Sequence, residues 1–156
     1  MKKLFLLLLI YTIITVSAYA DNKKEAVNFF NNYINAANTY SNTVTDMYSP
    51  TAKIIRQVVK PDGTTVDVLT DTSTYVKQMK IAQAGAKLRQ YKNNYSNITV
   101  TQISPTKFKI SALRQPTGET YKLKTYQIVE KQQNGKWIIV EEMMQTKQQI
   151  FLRYAK

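Results

Sequence analysis

An α+β domain is the fold class this sequence predicts, and three observations predict it. Two segments in the N-terminal half carry apolar side chains at spacings of three and four. From Asn97 onward the apolar period becomes two. Two turn sequences, Lys60-Pro-Asp-Gly63 and Gln133-Asn-Gly-Lys136, each separate runs rich in β-branched and aromatic residues. Helices and strands thus fall in separate stretches, as in two main helices packed on one face of a curled antiparallel sheet.

The chain opens Met1-Lys2-Lys3, runs apolar from Leu4 to Val16 and reaches Ser17-Ala-Tyr-Ala20. A basic start, an apolar core of about 13 residues and an Ala-x-Ala site are the parts of a secretory signal peptide. The expectation is cleavage after Ala20, giving a leader over 1–20 and one domain over 21–156, exported to the periplasm of a bacterium or secreted. The apolar run is shorter than the roughly 20 residues of a membrane-spanning helix. There is no cysteine, which excludes disulfides and thiolate chemistry, and no histidine, which excludes His-based triads and most zinc sites.

In the mature part, Asn22-Lys-Lys-Glu25 has the form of a capping box. Ala26, Val27, Phe30, Tyr33, Ile34 and Ala37, extended by Tyr40, then mark one face of a helix from about Lys23 to Ser41, with Asn28, Asn31, Asn32 and Asn35 largely opposite. Poor helix formers and Pro50 end it, and Asp46-Met-Tyr-Ser-Pro50 reads as a connector. Residues 52–59 and 64–69 form a hairpin about Pro61-Asp-Gly63, whose proline presets φ while glycine supplies the left-handed position. A cap at Asp71, Thr72 or Ser73 starts a second helix reaching about Tyr91, with Tyr75, Met79, Ala82 and Ala86 on one face and Lys77, Lys80 and Lys87 on its outer side.

Ile98 and Val100, then Phe108, Ile110 and Ala112, alternate with polar residues as half-buried antiparallel strands do. In the next strand the apolar phase passes from Tyr121 and Leu123 to Tyr126 and Ile128, which predicts a bulge near Lys124–Tyr126. The last hairpin turns at Asn134-Gly135, where both residues are expected at positive φ, and its second strand, Trp137 to Val140, is apolar on both faces. Cover for its outer side would come from a homodimer partner or from the C-terminal run Gln148–Lys156.

The element order, together with Met47-Tyr-Ser-Pro-Thr-Ala52 and Asn134-Gly-Lys-Trp-Ile-Ile-Val140, resembles the nuclear-transport-factor-2-like superfamily, the cystatin-like α+β cone that includes ketosteroid isomerases and polyketide cyclases. The resemblance covers nearly all of 22–146. It implies an apolar pocket between the first helix and the sheet. In enzymatic relatives that pocket carries an Asp, His or Tyr.

Glu141 and Glu142 are the carboxylates best placed for such a pocket. As neighbours in a strand they point to opposite faces, so one faces inward if the strand stays within the core. Beside Tyr33 or Tyr75 that group could serve as a general acid or base. In the plainer reading the strand leaves the core at Glu141, and both carboxylates pair with Lys122 or Lys124 in water. Asp46 reads as a turn or cap, and the scattered acids make no metal site. Phe30, Tyr33, Tyr75, Met79, Phe108, Ile110, Tyr126 and Trp137 converge under these phases, either as ordinary core or as the lining of a ligand pocket.

The chain carries a net charge of +12, about +10 once Lys2 and Lys3 leave with the leader. This favours an anionic membrane surface over nucleic acid, for which interleaved stacking aromatics are missing. No cofactor or metal is expected. The functional expectation is an exported, non-enzymatic module that binds a small apolar or amphipathic ligand or an envelope protein. The alternatives are a lyase or isomerase using a buried Glu and Tyr, and a periplasmic subunit of an envelope or secretion assembly.

Overall fold

The computed structural model describes the backbone of 2–155 and the side chains of 20–155, so residues 1–19 of the expected leader lie outside the residues whose side chains are described. Helix α1 spans Lys2–Asn38 and is followed by a 3-10 helix at Asn42–Met47. Strands β1 (Tyr48–Val59) and β2 (Thr65–Thr70) precede helix α2 (Thr72–Leu88). Strands β3 (Asn93–Ser104), β4 (Lys107–Pro116), β5 (Leu123–Lys131) and β6 (Trp137–Thr146) follow, then a 3-10 helix at Gln149–Tyr154.

All six strands form one sheet, in the order β2-β1-β6-β5-β4-β3. The meander β3 to β6 and the early hairpin were expected. Their junction was not: β1 lies parallel to β6, with Ile54 opposite Glu142 and Arg56 opposite Met144. The sheet is therefore mixed, and β6 is central, carrying neighbours on both sides. Its neighbours lie in the plane of the sheet, and the outward Ile138 and Val140 are half-buried. The C-terminal 3-10 helix lies instead by the β1–β2 hairpin, where Gln149 Nε2 donates to the Val59 carbonyl at 2.9 Å.

The capping box at Asn22 is not made, because α1 runs through it without a break. Asn22 instead donates to the Pro105 carbonyl at 3.1 Å and accepts from Lys131 Nζ at 3.1 Å. Glu25 accepts from Lys131 at 2.7 Å and from Trp137 Nε1 at 2.9 Å. Polar residues read as a helix start thus clip α1 to the turn after β3 and to the β5–β6 hairpin. Both hairpin turns place glycine at positive φ, +83° at Gly63 and +80° at Gly135. Asn134 keeps a negative φ, so the second turn is a longer loop with one left-handed residue and not the two-residue type expected.

The core lies between α1 and the concave sheet face. Ala26, Phe30, Tyr33 and Ala36 meet Phe108, Ile110, Val129, Trp137 and Ile139, with Ile34 packed at the edge. Along β5 the inward phase runs Leu123, Thr125, Gln127, Val129 without a break, so the bulge expected near Lys124–Tyr126 is absent. The sequence pattern misleads there because two inward residues are polar. The irregularity lies on β6: Val129 pairs with Ile139 while Ile128 pairs with Glu141, leaving Val140 as the extra residue.

Candidate functional site

The Val140 bulge decides which glutamate is interior. Trp137 and Ile139 point inward, Val140 and Glu141 both point outward, and Glu142 returns to the inner face with no exposed surface. A buried carboxylate is costly unless charge and hydrogen bonds offset its lost hydration. Glu142 has both. Its Oε2 accepts from Tyr48 at 2.7 Å, Gln127 Nε2 at 3.0 Å and Tyr33 at 3.2 Å. Its Oε1 accepts from Tyr75 at 2.9 Å and from Arg56 at 3.4 Å.

Five elements supply these groups: α1 gives Tyr33, β1 gives Tyr48 and Arg56, α2 gives Tyr75, and β5 and β6 give Gln127 and Glu142. The Arg56 guanidinium also lies 4.5 Å from the centre of the Tyr75 ring. Tyr48 meets Tyr33 and Tyr75 edge to face, with ring centres 6.3 and 5.4 Å apart. Burial, followed by the charge of Glu142, holds the Tyr33 and Tyr48 hydroxyls well above the ordinary tyrosine value. Burial also raises Tyr75, though Arg56 beside it opposes the rise. The three phenols are therefore committed hydrogen-bond donors.

A carboxylate offers about four lone-pair positions, and five donors converge on this one. Its capacity is filled. What adjoins it is an apolar pocket of about 170 Å³ between the C-terminal half of α1, the following 3-10 helix and α2. Tyr33 lines that pocket, as do Ala36, Tyr40, Val44, Met79 and Ala86. Tyr40 holds the left-handed conformation at φ +58° just past the end of α1, where Ser41 N–H bonds to the Ala36 carbonyl and Tyr40 N–H to that of Ala37. Gln83 of α2 donates to the Tyr40 carbonyl, which ties the two helices together at the pocket. The Tyr40 hydroxyl is buried without a hydrogen-bond partner among the described residues.

The structure brings together Tyr33, Tyr75 and Glu142, and places Met79 with Tyr33 on the pocket wall. Phe30, Phe108, Ile110 and Trp137 are filled core, with the Phe108 and Trp137 rings 6.0 Å apart. Tyr126 is not among them: it lies on the outer sheet face, donating to Glu141 at 2.6 Å under Lys109, whose Nζ is 3.9 Å from the ring centre. Glu141 pairs outward, with Lys53 at 3.9 Å and not with Lys122 or Lys124. Asp46 is exposed in the 3-10 helix. Sequence reasoning missed Tyr48, Arg56 and Gln127 as site residues, and placed Tyr40 only at the end of the apolar face of α1. The polar Gln127 within an otherwise regular strand was the one signal available for the first three. No group of three or more acidic side chains close enough to hold a metal occurs among the described residues.

No family model matches the chain, and no curated protein matches it. Solved structures do. A scytalone dehydratase candidate from Novosphingobium aromaticivorans superposes with a TM-score of 0.61 at 13% identity, over 83% of this chain and 86% of that one. A domain of unknown function with a cystatin-like fold from Nostoc punctiforme gives 0.55 at 16%, over 84% and 83%. An NTF-2-like protein of unknown function from Shewanella oneidensis gives 0.56 at 12%, over 79% and 98%. The chain has the nuclear-transport-factor-2-like, cystatin-like fold. At these identities the likeness extends to the fold alone.

Proposed function

We propose that the protein is an exported, non-enzymatic binding module that holds a small, largely apolar ligand in the pocket between α1 and α2. The observation that carries this reading is the contrast between a carboxylate with every acceptor position taken and an adjoining pocket whose walls, from Ala36, Ala37, Val44, Met79, Ala82 and Ala86, are mainly apolar. A general base needs a free lone pair within reach of substrate, whereas an amphipathic ligand needs apolar walls and one or two polar anchors. The volume sets the ligand's size. A cavity of about 150 Å³ holds benzene, so this one, with Ser41, Thr45 and Gln83 as its polar lining, suits a single ring or a short acyl chain bearing one polar group. Titration of the mature protein with phenol, followed by backbone amide NMR, should shift residues of 36–45 and 79–86 saturably. Ala86→Phe, which fills the pocket from α2, should abolish those shifts while the fold is retained. An unaltered response in that variant would remove the pocket from the account.

A second reading, a lyase or isomerase, has one observation in its favour: Tyr33 touches both the pocket and Glu142, and could carry a proton between them. It requires Tyr33 to leave the carboxylate during turnover. Dehydratase or isomerase activity lost in both Tyr33→Phe and Glu142→Gln would support it.

The basic charge has a separate outlet. The segment 72–92 contains no acidic residue, and α2 exposes Ile81 and Leu88 to solvent at 80% and 86%, flanked by Lys77, Lys80 and Lys87. A basic helix with exposed apolar side chains fits an anionic membrane surface. Binding to vesicles containing phosphatidylglycerol should fall steeply with salt and be lost in Ile81→Asp/Leu88→Asp.

A further inference from the structure

One edge of the sheet is open. Strand β3 ends the strand order and pairs only with β4. The opposite edge, β2, is six residues long against the twelve of β3, carries Asp67 and has the C-terminal segment beside it, where Phe151 and Tyr154 share a pocket with Leu69 and Thr70. At its first residue β3 shows what the open edge can bind. Asn38 of α1 donates from Nδ2 to the Asn93 carbonyl at 3.0 Å, and its Oδ1 accepts from the Asn93 N–H at 2.9 Å, as the peptide of a neighbouring strand would. From Asn94 to Ser104 no side chain of another element does the same among the described residues.

An edge strand is a template for another chain, and folds blunt it with charge, proline, bulges or cover. Among the described strands β3 alone has no charged side chain, and Asn93–Ser104 contains no proline. It keeps only the bulges. These lie between Ser96 and Thr99 and after Gln102, so they bound a regular run, Thr99–Gln102, and leave it intact. The flanking Ile98 and Ile103 are exposed, at 42% and 52%. Two features of the run select its partner. Thr99-Val-Thr101 reads the same in both directions, so an antiparallel copy turned about a twofold axis at Val100 sets Thr99 against Thr101 twice and Val100 against itself. Threonine pairs of this kind are favourable. Both threonines are exposed while Val100 packs against the core, so the pairing extends both faces of the sheet. Charge agrees with this choice. Copies that each carry +12 repel one another, and an uncharged strand is where they can approach.

We propose that β3 is a self-association edge: two copies of the chain pair antiparallel through Thr99–Gln102 about a twofold axis at Val100, joining two six-stranded sheets into one. Each copy offers one such edge, so the assembly closes at two. The interface is separate from the pocket between the helices and does not depend on what that pocket holds. Sedimentation velocity of the protein across the micromolar range tests it, with two double variants at the exposed threonines. The natural chain should show a monomer–dimer equilibrium and nothing larger. Thr99→Lys/Thr101→Lys sets like charges opposite each other and should weaken the dimer by about tenfold. Thr99→Lys/Thr101→Glu sets opposite charges together under the same symmetry and should keep it. Circular dichroism checks that both variants retain the fold. A natural chain that stays monomeric, or that grows beyond two copies, would overturn the proposal. So would a dimer that survives Thr99→Lys/Thr101→Lys unchanged, which places the interface elsewhere, or one that the two variants weaken alike, which removes the twofold pairing.

Discussion

At the scale of single residues, Glu141 and Glu142 are chemically alike and energetically opposite. Glu142 neutralises Arg56 and accepts three phenols and an amide in a dry interior, so Glu142→Gln leaves a buried guanidinium without its counter-charge and sets an amide N–H against donors. Loss of one partner from a buried pair costs about 3 kcal/mol or more. Glu141, with Tyr126 and a distant Lys53 at the surface, should cost under about 1 kcal/mol on the same change. Urea unfolding of the two variants at neutral pH measures the difference, and equal losses would contradict the assignment of interior and exterior. The tyrosines supply a pH signature. Tyr33, Tyr48 and Tyr75 have folded-state values raised above the unfolded value of about 10. Between those values the folded chain holds protons that the unfolded chain has released. Their contribution is therefore complete below about pH 10 and declines above it, by up to about 1.4 kcal/mol per pH unit for each phenol. Urea unfolding between neutral pH and about pH 11 should show this decline, shallower in Tyr33→Phe.

At the scale of elements, both helices end in the same way and both pay for it. Past α1 the left-handed residue is Tyr40, and past α2 it is Gln90, at φ +51°, with Tyr91 N–H bonded to the Ala86 carbonyl and Gln90 N–H to that of Lys87. Glycine is the usual occupant of such a position because a Cβ is strained there. Gln90 is exposed, so Gln90→Gly should stabilise the protein by about 0.5 to 1 kcal/mol, read as a higher urea midpoint with an unchanged slope. Tyr40 differs, since its ring lines the pocket, and the strain there is kept where a side chain has a use. The strands show how far the pattern of residues could be read. The alternation of Phe108, Ile110 and Ala112 was legible because each inward residue is apolar. In β5 it was not, because Thr125 and Gln127 turn inward to serve buried polar groups, Thr125 donating to the Met143 carbonyl and Gln127 to Glu142. Reading them as outward invented a bulge in β5 and left the real one, at Val140, unseen. Only that bulge distinguishes Glu142 from Glu141, and no periodicity in β6 reveals it.

At the scale of the whole molecule, the α+β class, the two helices and the meander were legible from period and turn chemistry, which are local. The parallel pairing of β1 with β6 was not, because it joins residues about 90 apart and leaves no local trace. The same long-range pairing delivers Arg56 and Tyr48 to the carboxylate, so the polar cluster was half invisible for the reason that the sheet was. With these residues in place the Glu142 carboxylate has every acceptor position engaged, and the proposed binding function is assigned to the pocket between the helices. That is the central claim, and native mass spectrometry of the protein released gently from its own cells tests it most directly. The expected result is a one-to-one adduct of a small molecule on the natural chain and its absence in Ala86→Phe. A natural chain that carries no adduct, together with turnover that depends on Glu142, would contradict it.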